Sequence, residues 1–114
     1  MYEWQIGNAL PPVAPTVQAL QVDGRVNPAG ISDPQPQFSW VYSDASGSAQ
    51  TMYRLIVSST RENLDAHFGD LWDTGDVASG ATTVPYAGAA LNSSMTYFWQ
   101  VRVRNAKGVW SETW

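Results

Sequence analysis

The sequence predicts an all-β sandwich of about seven short strands with one short helical turn after the third. Three observations carry this. Apolar runs of roughly five to eight residues alternate with period two along the chain. Clusters of Gly, Pro, Ser, Thr, Asn and Asp separate those runs and mark turns. The apolar residues are rich in rings, with six Trp, five Tyr and three Phe among 114 residues, a composition that suits a pleated, half-buried surface.

Residues 1–15 read as a linker or amino-terminal arm. Pro11, Pro12 and Pro15 remove backbone donors there and favour extended chain. The domain then runs over 16–114. Its first strand spans Thr16 to Val22, with Leu20 and Val22 facing inward. From Asp23 to Pro36 the chain holds Pro28, Gly30, Pro34 and Pro36, which no central strand tolerates, so this is a shaped loop. Gln37 to Tyr42 alternates Phe38, Trp40 and Tyr42 on an aromatic inner face. Turn residues from Ser43 to Ser48 precede a third strand, Thr51 to Ser58, with Tyr53, Leu55 and Val57 inward and Met52, Arg54 and Ile56 outward.

The stretch Ser59 to Phe68 breaks the alternation. Ser59 and Glu62 have the spacing of a capping box, and Leu64 and Phe68 share one helical face. Leu71 to Val77 and Ala81 to Tyr86 read as short edge strands. The longest strand is Thr96 to Asn105, with Tyr97, Trp99, Val101 and Val103 inward and Phe98, Gln100, Arg102 and Arg104 outward. A turn over Asn105 to Gly108 leads into a last strand that begins at Val109 and is cut short by Trp114, leaving an edge open to self-association.

Composition limits the functional classes. The chain carries six Lys and Arg against ten Asp and Glu, for a formal charge of −4 and a pI near 4.6. Its cations, among them Arg54, Arg102, Arg104 and Lys107, form no basic stripe, which argues against nucleic acid as a partner. No apolar stretch is long enough for membrane insertion, and none reads as a signal peptide. Without Cys, no disulfide or thiolate site is available, and redox usage leaves the compartment open.

A Leu six residues before a Tyr that opens the long strand is a specific constellation. Leu91 and Tyr97, followed by Trp99, Val101, Val103, Asn105 and Gly108 and joined to Trp40 on the second strand, resemble the E–F corner and F strand of an immunoglobulin-like, fibronectin type III domain. The resemblance gives Tyr97 the tyrosine corner, its hydroxyl bonded to backbone upstream.

A narrower resemblance covers Leu20 to Trp110. Asn27 to Ile31, Pro36 to Trp40, Gln50 to Arg54, Leu71 to Gly75, Tyr86 to Gly88 and Tyr97 to Val103 are similar to the amino-terminal domain of bacterial α-L-rhamnosidases, which are glycoside hydrolases. In those enzymes this domain is an accessory sandwich ahead of the catalytic barrel. The resemblance therefore implies a non-catalytic module of a larger carbohydrate-active or cell-surface protein, without cofactors, in a bacterial extracellular or cell-surface setting.

Three groups of residues are candidate sites. Asp70, Asp73 and Asp76 offer oxygens at spacings of three, but lack the alternate ligands and distal Glu of a calcium loop, and on a strand they would alternate faces. His67 with Asp65, Asp70, Ser58 and Ser59 has the residue types of a hydrolytic triad, but no nucleophile-elbow glycines surround either Ser. No catalytic or metal-binding residue is assigned. Ile56 and Phe98, outward on neighbouring strands and flanked by Arg54, Arg102 and Arg104, read as a surface that docks adjacent domains. Sugar stacking of a polysaccharide on exposed aromatics, including Trp4, Trp110 or Trp114, is the alternative.

Overall fold

The computed structural model describes residues 14–25, 35–92, 95–112 and 114. Trp4, the Pro11 and Pro12 arm and the Asn27 to Ile31 motif lie outside the described residues. The elements are β1 (Thr16–Val22), β2 (Gln37–Ser43), β3 (Gln50–Ser58), α1 (Arg61–Asp65), β4 (Trp72–Asp73), β5 (Thr83–Pro85) and β6 (Phe98–Asn105). They form two antiparallel sheets, ordered β1-β2-β5 and β4-β3-β6. A sandwich results, its core filled by Phe38, Trp40, Tyr53, Leu55, Val57, Val84, Tyr86, Val101 and Val103.

Period two puts these residues inside on β2, β3 and β6, as alternation requires. In β1 it does not hold throughout. The pairing with β2 slips between Gln18 and Gln21, where Ala19 takes a φ of 50°. This bulge changes the parity, so Val17 joins Leu20 and Val22 against the core.

The two ends of the core differ chemically. At one end the rings pack together: Phe38 lies 4.7 Å from Trp99 and 6.2 Å from Tyr86 between centroids, and Trp72 meets Tyr86 edge-on at 5.3 Å. At the other, buried polar groups are satisfied in full view of each other. The Trp40 indole donates to Gln50 Oε1 at 3.1 Å, and the Gln50 amide donates to the carbonyls of Ser79 and Ala81 at 3.1 and 2.8 Å. Buried Asn105 donates to Asp44 at 2.8 Å and accepts from the backbone N–H groups of Lys107 and Val109, which shapes the turn after β6. Tyr42 donates to the Ser48 carbonyl at 2.6 Å and also approaches Asp44.

The tyrosine corner forms on Tyr97, whose hydroxyl oxygen accepts from the Asn92 N–H at 2.7 Å. Other boundaries differ from the sequence expectation. Thr60, not Ser59, caps α1 by accepting from Asn63 N–H at 3.1 Å, because Ser59 turns instead to Asp70. The fourth strand shrinks to Trp72–Asp73, with Val77 rejoining β3 through a lone bridge to Tyr53. Beyond the turn, where Gly108 holds a φ of 83°, the seventh strand is one bridge between Trp110 and Arg104. Ser111 extends that cover of the β6 edge by donating its N–H to the Val103 carbonyl at 2.8 Å.

Two outcomes follow. Gln50→Leu keeps the volume but strands the Trp40 indole N–H and two carbonyls, so urea unfolding should show a loss of about 2–3 kcal/mol. The second concerns pH. Hydrogen bonds from Ser46 and Asn105 hold the Asp44 carboxyl down from its ordinary 3.8 to about 2. A lowered carboxyl stabilises the fold above its unfolded value, so this contribution disappears as pH falls from 3.8 towards 2. Burial, then the Asp44 charge, push Tyr42 up from 10.0 to about 12, and its contribution is lost as pH rises through that interval. The urea midpoint measured against pH should fall at both ends, and Asp44→Asn should flatten the acid limb.

Candidate functional site

The outer face of the β4-β3-β6 sheet gathers the outward residues singled out in the sequence. β3 and β6 pair with Arg54 opposite Arg102, Ile56 opposite Gln100, Ser58 opposite Phe98 and Met52 opposite Arg104. Asp73 on β4 lies opposite Ile56 and faces the same way.

Ile56 is not a surface residue, which corrects its place in the expected docking surface. It does point away from the sandwich core, but it is completely buried. The helical insertion covers it. Gly69 passes so close that a Cβ there would stand 2.9 Å from the Ile56 Cβ and 2.2 Å from the Trp72 carbonyl oxygen. Two polar bonds hold the insertion down: Ser58 Oγ donates to the Phe68 carbonyl at 2.6 Å, and Gln100 Nε2 donates to the Leu64 carbonyl at 3.1 Å. Phe98 remains half-buried, and Phe68 is 57% exposed at the rim.

The arginines are also engaged. Arg54 forms a two-pronged pair with Asp73, Nε to Oδ1 at 3.0 Å and Nη2 to Oδ2 at 2.6 Å. That bonding raises the Arg54 pKa and lowers that of Asp73. Both side chains are about one-third exposed, so screening limits the pair to roughly 0.5–1 kcal/mol. Arg102 lies 3.5 Å from Asp76 and meets two indoles, its Cζ 4.3 Å from the Trp110 centroid and 4.9 Å from that of Trp114. Trp114 also receives Arg54 at 5.3 Å and the His67 ring at 5.4 Å. Arg104 faces no carboxylate at ion-pair distance among the described residues; its Nη1 lies 3.5 Å from Met52 Sδ. The Nε atoms of Arg102 and Arg104 are buried without a hydrogen-bond partner.

The three aspartates therefore disperse among separate partners. Asp70 accepts from the Ser59 N–H and hydroxyl, which lowers its pKa. Asp73 and Asp76 both serve the outer face, where alternation had put successive carboxylates on opposite faces. The chain turns between them at Gly75, with a φ of 66°. Among the described residues, no three His, Asp or Glu side chains are grouped to hold a metal ion. The hydroxyls of Ser58 and Ser59 are spent on Phe68 and Asp70, and His67 contacts Trp114. Among the described residues, no helix is long and apolar enough to cross a membrane.

What the residue pattern did not reveal is the return of Trp110 and Trp114 onto this face. The available signal was two Trp four apart, directly after a strand with two outward Arg, a pairing that favours cation–π stacking.

Residues 17–114 match a family model, that of the Rha78A-like N-terminal immunoglobulin domain. The chain belongs to this family. Among curated relatives, the α-L-rhamnosidase of Streptomyces avermitilis is 37% identical over 107 residues, covering 92% of this chain and 10% of the relative. That of Formosa agariphila is 32% identical over 96 residues, covering 80% of this chain and 10% of the relative. Two solved structures superpose with TM-scores of 0.80: the α-L-rhamnosidase from Dictyoglumus thermophilum, 35% identical, over 86% of this chain and 11% of that one; and the S. avermitilis enzyme complexed with L-rhamnose, 37% identical, over 87% of this chain and 10% of that one. The chain thus spans about a tenth of the length of the relatives it matches.

Burial of Ile56 gives a direct check. An exposed residue truncated to Ala would leave stability within about 0.5 kcal/mol. Ile56→Ala, beneath the Gly69 crossing, should instead cost about 2–5 kcal/mol in urea unfolding.

Proposed function

We propose that this domain is a non-catalytic module of an α-L-rhamnosidase that spaces and docks the domains beside it through the outer face of the β4-β3-β6 sheet. The observation that carries this reading is what remains uncovered on that face: half-buried Phe98, exposed Phe68 at the rim, and Arg104 with no carboxylate of its own. An apolar ring at one end of β6, and at the other a guanidinium that meets no carboxylate among the described residues, fit a protein surface that supplies an apolar contact and a carboxylate.

The carboxylates support the non-catalytic part. Glycoside hydrolysis uses a pair flanking the scissile bond, one of them a general acid with a raised pKa. Here the displaced carboxyls, Asp44, Asp70 and Asp73, all move downward, held ionised by Ser46 and Asn105, by Ser59 and by Arg54. Such groups are poor proton donors near neutrality.

The test has two arms. The isolated chain should release no product from an aryl α-L-rhamnoside and show no saturable change in Trp fluorescence with L-rhamnose or rhamnose-containing polysaccharides. Placed in the S. avermitilis enzyme in lieu of the matching residues, Phe98→Asp and Arg104→Glu should each lower the thermal midpoint of the chimera more than that of the isolated domain. Equal shifts in both would remove this face as the docking surface. Saturable sugar binding lost in Phe98→Ala would make the domain a carbohydrate-recognition module.

A further inference from the structure

Met52 sits on the outer face of β3, directly opposite Arg104 on β6, and both residues are half-buried. Their contact is unequal. Arg104 Nη1 donates towards Met52 Sδ at 3.5 Å, and a thioether sulfur is only a weak acceptor. The rest of the guanidinium finds nothing stronger among the described residues. Its Nε is buried without a hydrogen-bond partner, and the aspartates of this face go to Arg54 and Arg102. The far side of the guanidinium lies against Gly108, where a Cβ would stand 2.9 Å from Nη2. A strong, charged donor is therefore packed between a turn and a soft sulfur.

We propose that Met52 is a modification site: its oxidation to the sulfoxide gives Arg104 the acceptor it lacks and turns a weak contact into a hydrogen-bonded bridge between β3 and β6. The oxidant is a peroxide. A sulfur lone pair attacks one peroxide oxygen, and the S–O bond forms as the O–O bond breaks. A proton passes to the departing oxygen, which leaves as water when the oxidant is hydrogen peroxide. Sulfur gives up two electrons, the peroxide takes them, and methionine sulfoxide reductases reverse the change. In an apolar site the polar sulfoxide disrupts packing, but here the new oxygen is bonded to an atom that already faces a guanidinium. Hydrogen bonds from a charged donor are the stronger class. The reaction needs the sulfur open to solvent, so it acts while no neighbour covers this face. Once formed, the sulfoxide competes for Arg104 with any carboxylate that a docked domain supplies. That consequence rests on the accessory-module reading, whereas the bridge rests only on contacts within this chain.

Hydrogen peroxide applied to a Met95→Leu form of the 114-residue chain tests this, because Met95 is 58% exposed and competes for the oxidant. Peptide masses should place an added oxygen on Met52, and Met52→Leu in the same background reports any effect of oxidising Met1. The thermal midpoint is then compared before and after oxidation, with Arg104 present and with Arg104→Leu. Oxidation should shift the midpoint several degrees further downward in Arg104→Leu, where the sulfoxide lies half-buried without a donor. No difference between the two shifts, or a difference of the opposite sign, would overturn the bridge. So would a Met52 that stays reduced in the folded chain under peroxide that converts Met95 in the unsubstituted one. If Arg104→Leu fails to fold, the side-chain N–H signals of Arg104 decide: their exchange with solvent should slow about tenfold on oxidation, and an unchanged rate overturns the bridge. The behaviour of the S. avermitilis chimera bears on docking and leaves this outcome untouched.

Discussion

In the second sheet Leu55 lies opposite Val101 and Ile56 opposite Gln100, and a slip of one residue would exchange every side chain between core and surface. That register is what the remaining structure depends on. It commits Tyr53, Leu55, Val57, Val101 and Val103 to the core and sends Arg54, Ile56, Gln100, Arg102 and Arg104 to the outer face. The polar ends of the two strands help pin it. Buried Gln50 and Asn105 oppose each other across an irregularity that separates them from the Met52–Arg104 pair, and each is satisfied where it lies: Gln50 by Trp40 and the Ser79 and Ala81 carbonyls, Asn105 by Asp44 and the following turn. A slipped sheet would strand these groups in the interior, at a cost of about 1–3 kcal/mol for each one left unpaired.

The outer face shows how a sheet can carry three arginines and a fully buried Ile without presenting a greasy or strongly charged surface. Ile56 is hidden by a ten-residue-scale detour built on α1, which works because Gly69 lets backbone touch the sheet. Two of the arginines are neutralised by aspartates and covered by indoles. Each such contact is worth only about 0.5–1 kcal/mol at this exposure. Their value is positional, since they determine which part of the face stays free.

Much of this was legible in the residue pattern, for reasons that are themselves physical. Strand interiors are governed by local alternation, so the inward sets of β2, β3 and β6 could be read directly, as could Tyr97, whose corner needs only a short upstream segment. The bulge in β1 could not, because Ala19 is an unremarkable residue and its φ of 50° is imposed by the pairing. Ile56 was read correctly as outward and incorrectly as exposed, since direction is a local property and cover is supplied by a segment a dozen residues away. A far longer separation in sequence hid the Trp114 contacts with His67 and Arg54. Ser59 and Glu62 had the right spacing for a cap, but Asp70 competed for Ser59 from outside the helix.

The residues that carry the resemblance read from the sequence build the sandwich. Phe38, Trp40, Tyr53, Trp72, Tyr86, Tyr97 and Trp99 all lie in the core or packed against it, and Gln50 completes the Trp40 bond. Removing any of them disturbs packing wherever the domain is used, so they carry the architecture and are silent on its partners. The outer face answers to a different constraint: its Arg and Trp residues are solvent-bounded and individually weak in effect, so the fold tolerates alternatives there. Any specificity for a partner belongs to that face rather than to the core, because a side chain there can change without disturbing the packing between the two sheets.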